Sequence, residues 1–185
     1  VAVGNTEVPL VEVIDDEAID AFVVECSSFR LNWTTCFRPD AAVWLNLAPD
    51  HLNWHTGLDS YVAAKTRMWR HQRSDDTAIG LADDAVVMAA LERVNGRAIS
   101  FGFDRGDYRS VAAGDHRELV GPAGPLTTTA AMRRALPHDV TNALAAAALV
   151  QQAGLAGAEA IAAALADFVG PPHRIEPVGS KDGVA

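Results

Sequence analysis

The chain has 185 residues, 49% of them hydrophobic, enough to bury the core of one domain or slightly more. With 15 Lys and Arg against 24 Asp and Glu the net charge is -9, which opposes a nucleic-acid partner but leaves room for a local phosphate site built from backbone amides and a metal ion. No apolar run approaches the about 20 residues of a membrane span, so no membrane insertion is expected.

In chain order, apolar β-type runs at Val1–Val3, Ala21–Cys26, Ala41–Leu47, Thr77–Leu81 and Ala98–Phe101 alternate with helical patterns near Val8–Ile14, Leu58–His71 and Ala85–Val94. This alternation predicts an α/β fold with a mostly parallel sheet flanked by helices. Between Asp104 and Thr129 the pattern breaks into short segments (Tyr108–Ala112, Glu118–Val120, Leu126–Thr128) separated by Gly, Pro and Asp, as in a small antiparallel β meander. Two Ala-rich helices, Asp139–Ala153 and Gly157–Asp167, follow it. Cys26 and Cys36 have neither metal-ligand spacing nor a disulfide framework, which predicts free thiols and a cytoplasmic location. The start Val1-Ala2-Val3-Gly4-Asn5 lacks the charged beginning of a signal peptide.

Several groups stand where chemistry is possible, each beside a plainer reading. Gly4-Asn5 follows the first strand as a turn that lets a backbone approach a ligand. Glu25, with Ser27 close behind, ends a strand expected to be buried; an acid there is costly unless it is paired or binds a hard cation such as magnesium. The plainer roles are a helix cap or a salt bridge. Asp50-His51 follows Pro49 at the carboxyl end of the third strand, the edge where open α/β sheets bind ligands, the plainer roles being a helix cap and a surface histidine. Lys65 shares the apolar helical face of Leu58, Tyr61, Val62 and Met68, either laying its stem along that face or serving a site. Thr141 and Asn142 read as ordinary capping residues of the long helix, and His173-Arg174 as a loop. His55, His71, His116 and Asp83-Asp84 are expected to be surface or capping residues.

Taken as a string, Asp50-His51-Leu52-Asn53-Trp54-His55, a short gap, then Tyr61-Val62-Ala63-Ala64-Lys65 resembles the central, ATP-binding domain of the Mur ligases, the amide ligases that extend the peptidoglycan stem peptide. The likeness runs from Gly4 to Glu176, and Glu25-Cys26-Ser27-Ser28-Phe29-Arg30-Leu31 is most similar to the D-glutamate-adding branch. The resemblance implies a fold like the P-loop nucleotide hydrolases. It also implies ATP and magnesium as cofactors, a UDP-sugar-amino-acid substrate and D-glutamate as partners, and a cytoplasmic monomer. It assigns Glu25, His51 and Lys65 to the metal site, with Lys65 carbamylated and Lys65 and His51 serving catalysis. It places Asn5 and Ser27 by the substrate, and Asn142 and Arg174 by ATP. The chain departs from the family at Glu7, where a second Gly is expected, at Arg30 in place of Gln, and at Asp139 in place of Asn.

No phosphate loop of the form G-x-x-G-K-[ST] occurs in the sequence, so the chain is expected to be an internal piece of such a ligase, one central domain across residues 1–185 without its phosphate-loop segment. The rival expectations are a non-catalytic or decayed paralogue that acts as a binding module, and a sibling ligase that adds another amino acid.

Overall fold

The computed structural model describes residues 1–6, 8–171 and 175. The chain divides into two compact units, residues 1–100 and 101–185.

In the first unit β1 (Ala2–Gly4) is followed by a single helical turn, α1 (Leu10–Val13), and pairs in parallel with β2 (Val23–Glu25), Gly4 lying opposite Glu25. Helix α2 (Ser28–Trp33) comes next. It is not among the elements expected from periodicity, because six residues make too few turns for a period to register. Ser27 starts it: its Oγ accepts from the Arg30 N–H at 3.3 Å. Strand β3 (Ala41–Trp44) ends three residues before the expected Leu47. Past Trp44 the backbone groups are taken by side chains, the Asn46 carbonyl by the Trp44 indole (2.9 Å) and the Leu47 N–H by Asp84 (2.7 Å). No ladder can continue through groups already bonded elsewhere.

Helix α3 (Leu58–Thr66) tightens into a 3₁₀ turn at Arg67–Trp69. The indole of Trp69 donates to the Ala42 carbonyl at 3.0 Å and anchors that turn on β3. Strand β4 (Thr77–Leu81) lies parallel to β3, and β5 (Arg97–Phe101) flanks it to give the order β3-β4-β5. Helix α4 (Ala85–Leu91) is capped by Asp84, as expected, which accepts from the Val86 and Val87 N–H groups. Leu31, Trp44, Met68, Trp69, Ala78, Val87 and Leu91 form one buried cluster that joins α2, the 3₁₀ turn after α3, and α4 to the sheet. Burial of this kind contributes roughly 1.5–3 kcal/mol per large side chain.

One ion pair holds the base of β4. Asp76 is buried, takes both Nε (2.7 Å) and an Nη (2.8 Å) of Arg38, and accepts from the Arg73 N–H (2.7 Å). Burial pushes its pKa up, but these donors outweigh it and hold the carboxyl below its ordinary value. A lowered folded pKa stabilises above the unfolded carboxylate range and is lost as pH falls through the folded value. Asp76→Asn in the full-length protein should therefore lower the thermal midpoint at pH 7, by about 5 °C for the loss of a buried carboxylate's paired bonds. The gap between variant and parent should narrow as the scan is repeated at lower pH.

The second unit is a meander, β6 (Arg109–Ala113), β7 (His116–Gly121) and β8 (Gly124–Thr128), antiparallel throughout, followed by α5 (Pro137–Gln152) and α6 (Ala158–Asp167). Helix α6 packs on β8, and α5 on β6 and β7. Tyr108 is fully buried; its hydroxyl donates to Gln151 Oε1 (2.7 Å) and accepts from Gln152 Nε2 (2.9 Å), so the buried polar end is satisfied from α5. The α/β fold with parallel strands and one antiparallel meander is the architecture expected from the sequence.

Candidate active site

Glu25 stands at the end of β2, but the strand is not buried as expected: Glu25 is exposed and Val23 is 49% exposed. Among the described residues β2 has β1 as its one partner strand, which leaves its other edge open. The carboxylate therefore carries little burial penalty, and its position is set by the turn after β1. Gly4 has φ +104°, and a Cβ there would lie 2.4 Å from the Glu25 carbonyl oxygen. Only glycine allows that approach. It lets the Asn5 N–H donate to the Glu25 carbonyl (2.8 Å) and Asn5 Nδ2 donate to Glu25 Oε1 (3.0 Å). Gly4→Ala in the full-length protein should pull β1 from β2 and lower the thermal midpoint by several degrees, an order set by a clash and an unfavourable φ together. An unchanged midpoint would show that the turn is not constrained in this way.

Ser27 fills the cap position of α2, and Glu7 lies outside the described residues. Arg30 is exposed on α2.

Asp50 and His51 do not begin a helix. Here φ of His51 is +55°, an uncommon backbone state for a residue with a side chain. The Asp50 carboxylate accepts from the His51 N–H at 2.6 Å, and the His51 carbonyl accepts from the N–H groups of Trp54 and His55, both at 3.0 Å. These bonds hold a tight turn that projects the half-exposed His51 ring toward Phe29 (4.7 Å between centroids) and Tyr61 (6.2 Å). Lys65, one turn beyond Tyr61 on α3, rests its Nζ 5.1 Å from the Tyr61 ring centroid. Desolvation pushes its pKa below the ordinary lysine value, with Asp50 opposing the shift. Desolvation also raises the Tyr61 phenol, and Asp50 adds to that. Asp50, His51, Tyr61 and Lys65 thus share one electrostatic neighbourhood, joined to α2 through Phe29.

His55 corrects its expected surface role. It is 6% exposed, shares a 3.0 Å hydrogen bond with Ser28 Oγ, and packs among Phe29, Trp54 and Tyr61. Its spacing of four from His51 could have hinted at one turn with two histidines, but burial needed the fold. A groove of about 550 Å³ between α3 and α4, lined by Val62, Trp69, Val86 and Val94, contains neither Glu25 nor His51 nor Lys65.

In the second unit α5 begins at Pro137, two residues before the expected Asp139, with Pro in the first turn where its missing N–H costs nothing. Thr141 and Asn142 are consequently not first-turn caps. Thr141 Oγ1 donates back to the Pro137 carbonyl (2.9 Å), and Asn142 is exposed a turn inside the helix. Asp139 takes the capping task, accepting from the Leu136 N–H (3.1 Å) and from both Nε (2.8 Å) and an Nη (2.7 Å) of Arg134. The Arg134 fork holds its carboxyl below the usual range. Arg174 and its neighbours His173 and Glu176 lie outside the described residues.

Residues 6–150 match the model of the Mur ligase middle domain. The chain belongs to the Mur ligase family. It is 40% identical to the UDP-N-acetylmuramoylalanine–D-glutamate ligase of Frankia casuarinae, over 98% of this chain and 39% of that protein. It is 36% identical to the enzyme of the same name from Thermobifida fusca (99% of this chain, 42% of that protein) and 35% identical to that of Escherichia coli (98% and 40%). The chain thus spans about two fifths of the length of these curated relatives. Among solved structures, MurF of Acinetobacter baumannii superposes with a TM-score of 0.65 at 25% identity, covering 78% of this chain and 32% of that one. A Neisseria murein peptide ligase, at 18% identity, superposes with a TM-score of 0.67 over 81% of this chain and 48% of that one, and shows the shared fold.

Mur ligases use ATP and magnesium. Among the described residues no three carboxylate, imidazole or thiol groups converge on one point. Magnesium keeps several waters and phosphate oxygens and takes one or two protein carboxylates. Glu25 is exposed, and one of its oxygens is engaged by Asn5. No helix among the described residues is long and apolar enough to cross a membrane.

Proposed function

We propose that this Mur ligase domain serves the ATP-dependent joining of D-glutamate to UDP-N-acetylmuramoyl-L-alanine in peptidoglycan precursor synthesis. The observation that carries the reading is the gathering of His51, Tyr61, Asp50 and a desolvated Lys65 on one neighbourhood, in a chain 35–40% identical to relatives bearing that activity. In the reaction the substrate carboxylate oxygen attacks the γ-phosphorus of ATP, the bond to ADP breaks, and an acyl phosphate forms. The D-glutamate amine then attacks the acyl carbon, gives up a proton, and expels phosphate as the amide forms. Magnesium would neutralise the crowded phosphate oxygens.

Each residue has a proposed part. Glu25 would hold one ion through an oxygen presented to solvent. Lys65, whose neutral form burial favours, would attack carbon dioxide as the neutral amine and release a proton, leaving an anionic carbamate whose oxygens suit the second ion beside His51. Asn5, which steers Glu25, and Ser27, at the head of α2, would border the UDP-sugar substrate. Asn142, exposed on α5, would read the adenine edge by donating and accepting at once, and Arg174 would meet the phosphates. The protein would act as a cytoplasmic monomer. The test is phosphate release by the full-length protein with ATP, magnesium, the UDP-sugar substrate and D-glutamate. Turnover with another amino acid instead would identify a sibling ligase, and nucleotide binding without turnover a binding module.

A further inference from the structure

We propose that His55 is a positioning residue that sets the spacing between the Glu25 end of the site and the His51–Lys65 end; the proposal rests on the metal-site reading above. Glu25 and His51 lie 26 residues apart in sequence (51 − 25), so their separation is set by contacts between their segments, among them Phe29 against His51. His55 connects both. Its backbone N–H donates to the His51 carbonyl (3.0 Å), which anchors the turn where His51 has φ +55°. Its Nε2 shares a 3.0 Å hydrogen bond with Ser28 Oγ, three residues after Glu25.

Both members of that bond are out of water, His55 at 6% and Ser28 at 3% exposure, so neither can exchange its partner for solvent without cost. The ring is also fixed in orientation. It lies nearly parallel to Phe29 (5.9 Å, 19°), edge-on to Trp54 (4.6 Å, 81°) and tilted against Tyr61 (5.1 Å, 47°), the ring over which Lys65 rests. One imidazole therefore touches α2, the His51 turn and α3 together. A purely apolar ring would fill the same space, but it would leave the Ser28 hydroxyl without this partner and α2 held to the His51 turn by ring contacts that fix direction less sharply than a hydrogen bond. A group that orients metal ligands without touching the metal commonly contributes 10–100-fold to metal affinity.

The experiment is a calorimetric titration of magnesium into the full-length protein holding a non-hydrolysable ATP analogue, with steady-state kinetics alongside. His55→Phe keeps the aromatic contacts and removes only the hydrogen bond; His55→Gln returns an amide to the place of Nε2. We expect His55→Phe to weaken magnesium about 10-fold and to lower kcat more than it raises KM for the UDP-sugar substrate, with His55→Gln within about threefold of the parent. Ser28→Ala should match His55→Phe, and the double variant should be no worse than either, because one bond is lost once. Should His55→Phe fail to fold, Ser28→Ala alone decides the matter. Variants that unfold at lower temperature yet bind magnesium like the parent, or losses that simply add, would overturn the positioning role. A parent protein that binds no magnesium with nucleotide would overturn the site reading and this proposal together.

Discussion

Lys65→Arg in the full-length protein is expected to abolish ligation, with turnover falling by about 100-fold or more, the scale of losing a group that acts on transition-state charge. Two features of Lys65 support that size. Desolvation pushes its pKa down, which favours the neutral amine, and its Nζ lies over Tyr61 in the same neighbourhood as His51. A neutral amine can take up carbon dioxide, whereas a guanidinium stays charged and forms no carbamate. Arginine also retains the cation over Tyr61, so packing survives while the chemistry is removed. Carbon-13 NMR after labelling with bicarbonate should show a carbamate carbon in the parent that vanishes in the variant. Full activity of Lys65→Arg, or no such resonance in an active sample, would return this lysine to the role of a stem laid along an apolar face.

Glu25→Ala should cost about as much, 100-fold or more in magnesium-dependent turnover, by removing the metal ligand proposed for this exposed carboxylate. Stability should hardly move. The side chain is exposed and its one described bond is to Asn5, so a midpoint shift of about 1–2 °C is expected for such a surface change. Loss of activity with an intact fold separates a ligand from a structural acid. Turnover that stays near the parent value at saturating magnesium would show that the ion is held by other groups.

Much of the architecture was legible in the sequence, because alternating apolar strands and helix-period segments are local patterns. Thr77–Leu81 and the end of α6 at Asp167 fall where periodicity placed them, and the three strands of the meander lie within a few residues of their expected bounds. The Asp84 cap and the approach of Lys65 to an apolar face were readable for the same reason: each depends on residues near in sequence, whereas the close approach at Gly4 is set by Glu25, 21 residues on. What the sequence could not settle involved partners far along the chain. Strand β3 stops at Trp44 because Asp84, 37 residues away, takes the Leu47 N–H. The exposure of Glu25 depends on an edge that β2 leaves open. His55 reads like any loop histidine until Ser28, 27 residues earlier, and the rings of Phe29 and Tyr61 enclose it. Periodicity records which face of an element is apolar, whereas burial and hydrogen-bond partners arise only when distant elements meet, so the residues came from the sequence and their working arrangement from the tertiary structure.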